Sequence, residues 1–183
     1  PTGRRVTTND YSSADYYYVN KSSLPKVYGG FNTSLSWKGF DLSAIFAYSI
    51  GGYIYNRDIT MILHNGSLEG RDWSTEILKR WTPDNRYTDV PALSTTSNNW
   101  NSASTRFLQN NSYMRLKNLT LSYNLPKQWI SKLSLSSVQV YVQGDNLFTI
   151  HRNQGLDPEQ GITGITYYRY PAMRTISGGI NVS

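Results

Sequence analysis

From Val27 onward the chain alternates. Val27, Phe31, Leu35 and Trp37 fall at odd positions, while Tyr28, Asn32, Ser34 and Ser36 take the even ones. A period of two belongs to a β-strand whose faces differ in polarity. Lys38 and Gly39 form a two-residue turn, and the chain returns with Phe40, Leu42, Ala44, Phe46, Tyr48 and Ile50 on one face. The same alternation recurs later, predicting five strands over about 27–37, 40–55, 106–125, 137–150 and 172–183 and an all-β chain. The hairpin arms run to about eleven residues, the length a tilted bilayer-crossing strand needs.

The links between strands alternate in length: two residues, then about fifty, about a dozen and about twenty. Outer-membrane barrels show this pattern, with turns on the periplasmic side and loops outside. Residues 1–25 are expected to be the remnant of one outer loop, with Tyr16, Tyr17 and Tyr18 before Pro25. The loop from about 55 to 105 contains a predicted short helix at 74–81, capped by Ser74 and stopped by Pro83. Five strands do not close a barrel of this width, so preceding strands are expected.

One stretch breaks phase. In SYMRLKNLTLSYNLP (112–126) Leu119, Leu121, Tyr123 and Leu125 are odd, yet Met114 and Leu116 are even. Strict alternation would put Arg115 and Lys117 on the lipid face, at about 2–4 kcal/mol each near the midplane. Either a bulge near Lys117 and Asn118 resets the register, or these charges lie above the membrane.

Composition supports β-structure. Charged residues make up only 16% of the chain and the remainder is rich in Ser, Thr, Asn and Gly. The 15 Tyr against 5 Phe supply amphipathic rings suited to a membrane interface, and Trp37, Phe40, Tyr53, Tyr55 and Tyr123 are expected to form an aromatic girdle. The net charge of +6 is spread over single Lys and Arg residues, without the basic stripe of a nucleic-acid binder. There is no Cys, hence no disulfide framework, and no run of 18 apolar residues to make a membrane helix. Periodicity alone leaves a second reading open: a soluble, lectin-like carbohydrate-binding β-sandwich.

Five segments carry a family resemblance: VYGGFNTSLSWKGFDLSAIFAYSIGGYIYN (27–56), LKRWTPDNRYTDVPAL (78–93), RFLQNNSYMRLKNLTLSYNLP (106–126), VYVQGDNLFTIHRNQGLDPE (140–159) and YPAMRTISGGINVS (170–183). Together they resemble the carboxyl-terminal end of TonB-dependent outer-membrane transporters of the SusC/RagA family. The resemblance implies that 26–183 forms the last five strands of an antiparallel transmembrane barrel of about twenty-two strands, with long extracellular loops. It further implies import of oligosaccharides or oligopeptides, with a SusD-like surface lipoprotein as lid. Coupling to the TonB complex would run through an amino-terminal plug absent from these residues. The family usually ends on an aromatic residue, so one residue beyond Ser183 is expected. His151 stands where members more often carry a small hydroxyl residue.

Candidate chemistry is sparse. His64 and His151 lack HExxH or Cys neighbours, no nucleophile elbow or phosphate loop is present, and neither catalysis, a metal nor a cofactor is expected. Asp157 and Glu159 in GLDPEQG read as turn formers, since the spacing lacks the repeated acids of a calcium loop. The expected substrate contacts are Trp100, Asn98, Asn99, Arg152, Tyr167 and Tyr168 in the outer loops, flat rings beside amide and guanidinium donors. Trp73 and Trp81 are instead expected to pack the loop's own helix. Asn32, Ser34, Gln139, Gln143 and Asn181 read as a wetted wall.

Overall fold

A computed structural model describes residues 8, 10–64, 66, 68, 70–94, 99–133, 135–155, 157–159 and 161–183, the side chains of Trp100 and Leu133 excepted. Two units divide it. One comprises Ser22–Tyr53, Asn110–Ile162 and Arg169–Ser183, the other Pro1–Lys21, Ile54–Gln109 and Thr163–Tyr168.

The first unit is a five-stranded antiparallel sheet in the order β1-β2-β5-β6-β8. Its strands are β1 (Val27–Trp37), β2 (Phe40–Ile50), β5 (Tyr113–Asn124), β6 (Val138–His151) and β8 (Thr175–Val182). Lys38 and Gly39 both have positive φ, 48° and 90°. Two positive values in succession define the hairpin turn whose twist matches the flanking strands, and Gly39 meets that geometry without steric cost. At the same end, β5 and β6 are joined through the short helix α2 (Lys127–Ile130). Gly179 faces Tyr141 across the β6–β8 ladder. A Cβ there would lie 2.7 Å from the Tyr141 hydroxyl, so the missing side chain is what lets the ring cross the neighbouring strand.

The second unit is built from short pieces. Strands β3 (Tyr53–Asn56), β4 (Leu108–Asn110) and β7 (Ile165–Thr166) form a small sheet in the order β4-β3-β7, with β3 and β7 parallel. Helix α1 (Arg57–Ile62) begins at Asn56, whose side chain accepts from the Ile59 N–H. Ile54, Leu63, Ile77, Val90 and Phe107 make its buried apolar core.

Three expected boundaries change. The strand expected over 40–55 stops at Ile50, because Gly51 at φ 91° turns the chain and Tyr53–Asn56 joins the small sheet. Tyr55 therefore leaves the expected girdle and packs edge-on to Phe107 at 6.1 Å. The strand expected over 106–125 begins at Tyr113, since the Asn110 side chain accepts from the Ser112 N–H and breaks the extended run. The last strand begins at Thr175 and not at 172, where the Ala172 N–H donates to the Asp157 carboxylate instead of a ladder partner. The helix expected at 74–81 is a single 3-10 turn, Thr75–Lys79, with Ser74 accepting from the Glu76 N–H.

Candidate functional site

Paired residues in a sheet share a face, so the register assigns the paired side chains of the five strands to one face or the other. One face reads Phe31, Leu35 and Trp37 on β1; Phe40, Leu42, Ala44, Phe46 and Ile50 on β2; Met114, Leu116, Leu119, Leu121 and Tyr123 on β5. It continues with Val140, Val142, Phe148 and Ile150 on β6 and Ile176, Ile180 and Val182 on β8. It carries no charge. The opposite face holds Asn32, Ser34, Asp41, Arg115, Asn118, Thr120, Ser122, Gln139, Gln143, Asp145 and Asn181. Burial is inverted relative to a water-soluble sheet: Leu35, Ile176 and Ile180 are 66%, 76% and 64% exposed, whereas Arg115 is 3% exposed. The other sheet among the described residues has three strands of two to four residues, not the second full sheet of a sandwich.

The phase break is resolved by a bulge. On the β2 side the ladder steps from Ile45↔Asn118 to Phe46↔Leu116, leaving Lys117 without a partner residue. On the β6 side it steps from Asn118↔Asp145 to Leu116↔Phe148, passing Asn146, at φ 51°, and Leu147. The extra residue lets Leu119 and Leu116 share the apolar face although their numbers differ in parity. Arg115 is thereby delivered to the polar face.

There each nitrogen of the Arg115 guanidinium has a partner. Its Nε donates to Thr149 Oγ1 at 2.9 Å, its NH1 to Glu159 at 2.8 Å and its NH2 to Asp157. Lys117 Nζ lies 2.6 Å from the other oxygen of Glu159. Asp157 also accepts from the N–H groups of Glu159 and Ala172, at 2.9 and 2.6 Å. Asp157 and Glu159 are thus more than turn formers: they clamp the link between β6 and β8 onto β5. The expectation missed this because 42 and 44 residues separate the partners, a distance no local pattern spans. Burial alone would raise the Asp157 pKa, but these hydrogen bonds and the guanidinium together hold it below the ordinary 3.8. A depressed carboxyl stabilises the fold above its unfolded pKa and loses that contribution as pH falls through the folded value. Protection of the 152–174 link from pepsin is therefore expected to persist down to about pH 4 and to fade below it.

Asp145 is served by neutral donors on the same face, from Asn118 at 2.8 Å and from Gln143 at 3.2 Å. Asp41 likewise accepts from Ser36 and from Asn124. At the turn end, Phe40 and Tyr123 rings lie 4.5 Å apart and Lys38 sits 4.8 Å over the Trp37 ring.

Of the expected contact residues, Tyr167 and Tyr168 are brought together, their rings 4.2 Å apart and both exposed. Arg57 lies over the Tyr167 ring at 4.5 Å, and the Tyr168 N–H donates to Asp58 at 3.0 Å. Asn99 lies exposed in the 3-10 turn Asn99–Asn101, which also contains Trp100. Asn98 is outside the described residues, and Arg152 is exposed in the sheet unit. Trp73 packs edge-on against His64 at 5.0 Å. His64 is buried, and burial lowers its pKa. Trp81 is 44% exposed, its N–H bonded to Val90 O. Among the described residues no group of three or more His, Asp or Glu is placed to hold a metal.

No family model matches the chain. It is 33% identical over 184 residues to TonB-dependent receptor P3 of Formosa agariphila, covering 94% of this chain and 18% of that protein. To TonB-dependent receptor SusC of Bacteroides thetaiotaomicron it is 27% identical over 166 residues, covering 90% and 16%. Among solved structures, the RagAB peptide importer in its closed-closed state aligns with a TM-score of 0.84 at 35% identity, covering 98% of this chain and 20% of that one. The chain thus spans a fifth or less of the length of these relatives. Residue pattern, inverted burial and relatives agree: the chain belongs to the SusC/RagA family of TonB-dependent receptors.

Proposed function

We propose that this chain is part of the wall of an outer-membrane active importer of oligosaccharides or oligopeptides. The carrying observation is the five-strand sheet with one uncharged apolar face and one polar face, kept in phase across the Lys117 bulge. In this reading the apolar face meets lipid and the polar face meets a watery lumen. Substrate is captured between the outer loops and a SusD-like lipoprotein lid, and is released when TonB displaces a plug supplied by the rest of the protein. Trp100, Asn98, Asn99, Arg152, Tyr167 and Tyr168 are the proposed loop contacts, their rings and amides suited to a sugar or a peptide backbone. The SusC and RagAB likenesses support the lid and the oligomeric cargo.

Cysteine scanning along β5 tests the wall. In native membranes a water-soluble maleimide is expected to label positions 118, 120 and 122 and to spare 116, 119 and 121. Labelling that keeps one parity through the whole strand contradicts the bulge. Equal labelling of both sets contradicts the membrane reading.

A further inference from the structure

Where the β6–β8 link is clamped against the polar face, it borders an open, solvent-facing cavity of about 310 Å³ lined by Arg115, Asn146, Thr149, His151, Asp157 and Arg174 among others. Three observations give this space a preference. The Arg115 guanidinium is spent on Thr149, Glu159 and Asp157. Lys117 also faces Glu159, so the cations Arg115 and Lys117 balance the anions Asp157 and Glu159. Arg174 is a further cation, exposed and without a hydrogen bond or ion pair among the described residues. Beside it, Thr149 Oγ1 accepts from Arg115, which leaves its hydroxyl hydrogen free to donate. The cavity therefore holds one uncompensated planar fork of donors and a hydroxyl donor on a rigid wall.

We infer that this cavity is a subsite for a carboxylate group of the transported oligomer, with Arg174 as its main ligand and Thr149 as the second donor. A guanidinium matches a carboxylate by paired N–H donors, and such charge-assisted bonds are the stronger class. The clamp carries a second role here: by neutralising Arg115 it directs the incoming anion to Arg174 and keeps it off the sheet. The inference rests on the importer reading, since it takes the polar face as the substrate path.

Two sources of carboxylate are distinguished by paired probes on the full-length protein in detergent, with binding followed by calorimetry. One pair is a peptide with a free carboxyl terminus and its carboxyl-terminal amide. The other is an oligogalacturonate and its methyl ester. Within one pair the charged member is expected to bind about tenfold more tightly than the neutral one. Arg174→Gln is expected to erase that difference and leave the neutral probe unchanged, while Arg174→Lys keeps part of it. Unaltered heat-modifiable migration of each variant shows that folding is intact. Equal binding within both pairs, or a preference that survives Arg174→Gln, overturns the subsite alone. If neither pair binds at all, the subsite fails and the importer reading fails with it.

Discussion

Exchanging Arg115 and Leu116 in the full-length protein is expected to abolish the folded, heat-modifiable form in the outer membrane. The double variant R115L/L116R has the same composition, charge and length as the parent; only the face of each side chain changes. Position 116 pairs with Phe46 and Phe148 on the apolar face, so arginine there meets lipid, at about 1–4 kcal/mol according to depth. Position 115 loses the cation between Asp157 and Glu159, and an uncompensated buried carboxylate costs about 3–5 kcal/mol. The two add because they act on opposite faces through different partners, and their sum rivals the whole stability of an ordinary domain. Normal assembly of the exchanged protein would mean that the faces are wrongly assigned.

The second large effect isolates the clamp. Arg115→Met keeps the length of the side chain and removes its charge, leaving Asp157 buried without its guanidinium partner. The link between β6 and β8 is expected to open, at about 3–5 kcal/mol, and to become sensitive to protease added to intact cells. Adding Asp157→Asn and Glu159→Gln to Arg115→Met is expected to recover part of the protection, because no charge then lies buried without a partner. Were the triple variant as sensitive as Arg115→Met alone, the cost would lie in lost packing and not in the stranded carboxylate.

Much of the wall was legible because its signal is local. Leu35 and Trp37, Phe40 and Leu42, and Leu119 and Leu121 repeat at a spacing that only a strand reads as one side. The phase break at Lys117 was legible for the same reason, since Met114 and Leu116 announce the wrong parity within a few residues of Leu119. The small sheet leaves no periodic trace in the sequence. Its strands have two to four residues, too few for a period to show. The clamp leaves none for a different reason: nothing near Asp157 in the chain points to Arg115. Arg174 carries no signal in the sequence, because a lone arginine before a strand is ordinary without the cavity beside it. The loop contacts stand on composition alone, for the tract around Asn98 and Trp100 has no repeat from which a geometry follows.

The bulge also sets where the chain tolerates a change of length. With Lys117 removed, Leu119, Asn118, Leu116, Arg115 and Met114 would alternate without interruption opposite β2, and both faces would keep their membership. One residue more or fewer at this step leaves lipid and lumen correctly served. Elsewhere along β5 the same change turns every residue beyond it to the wrong side.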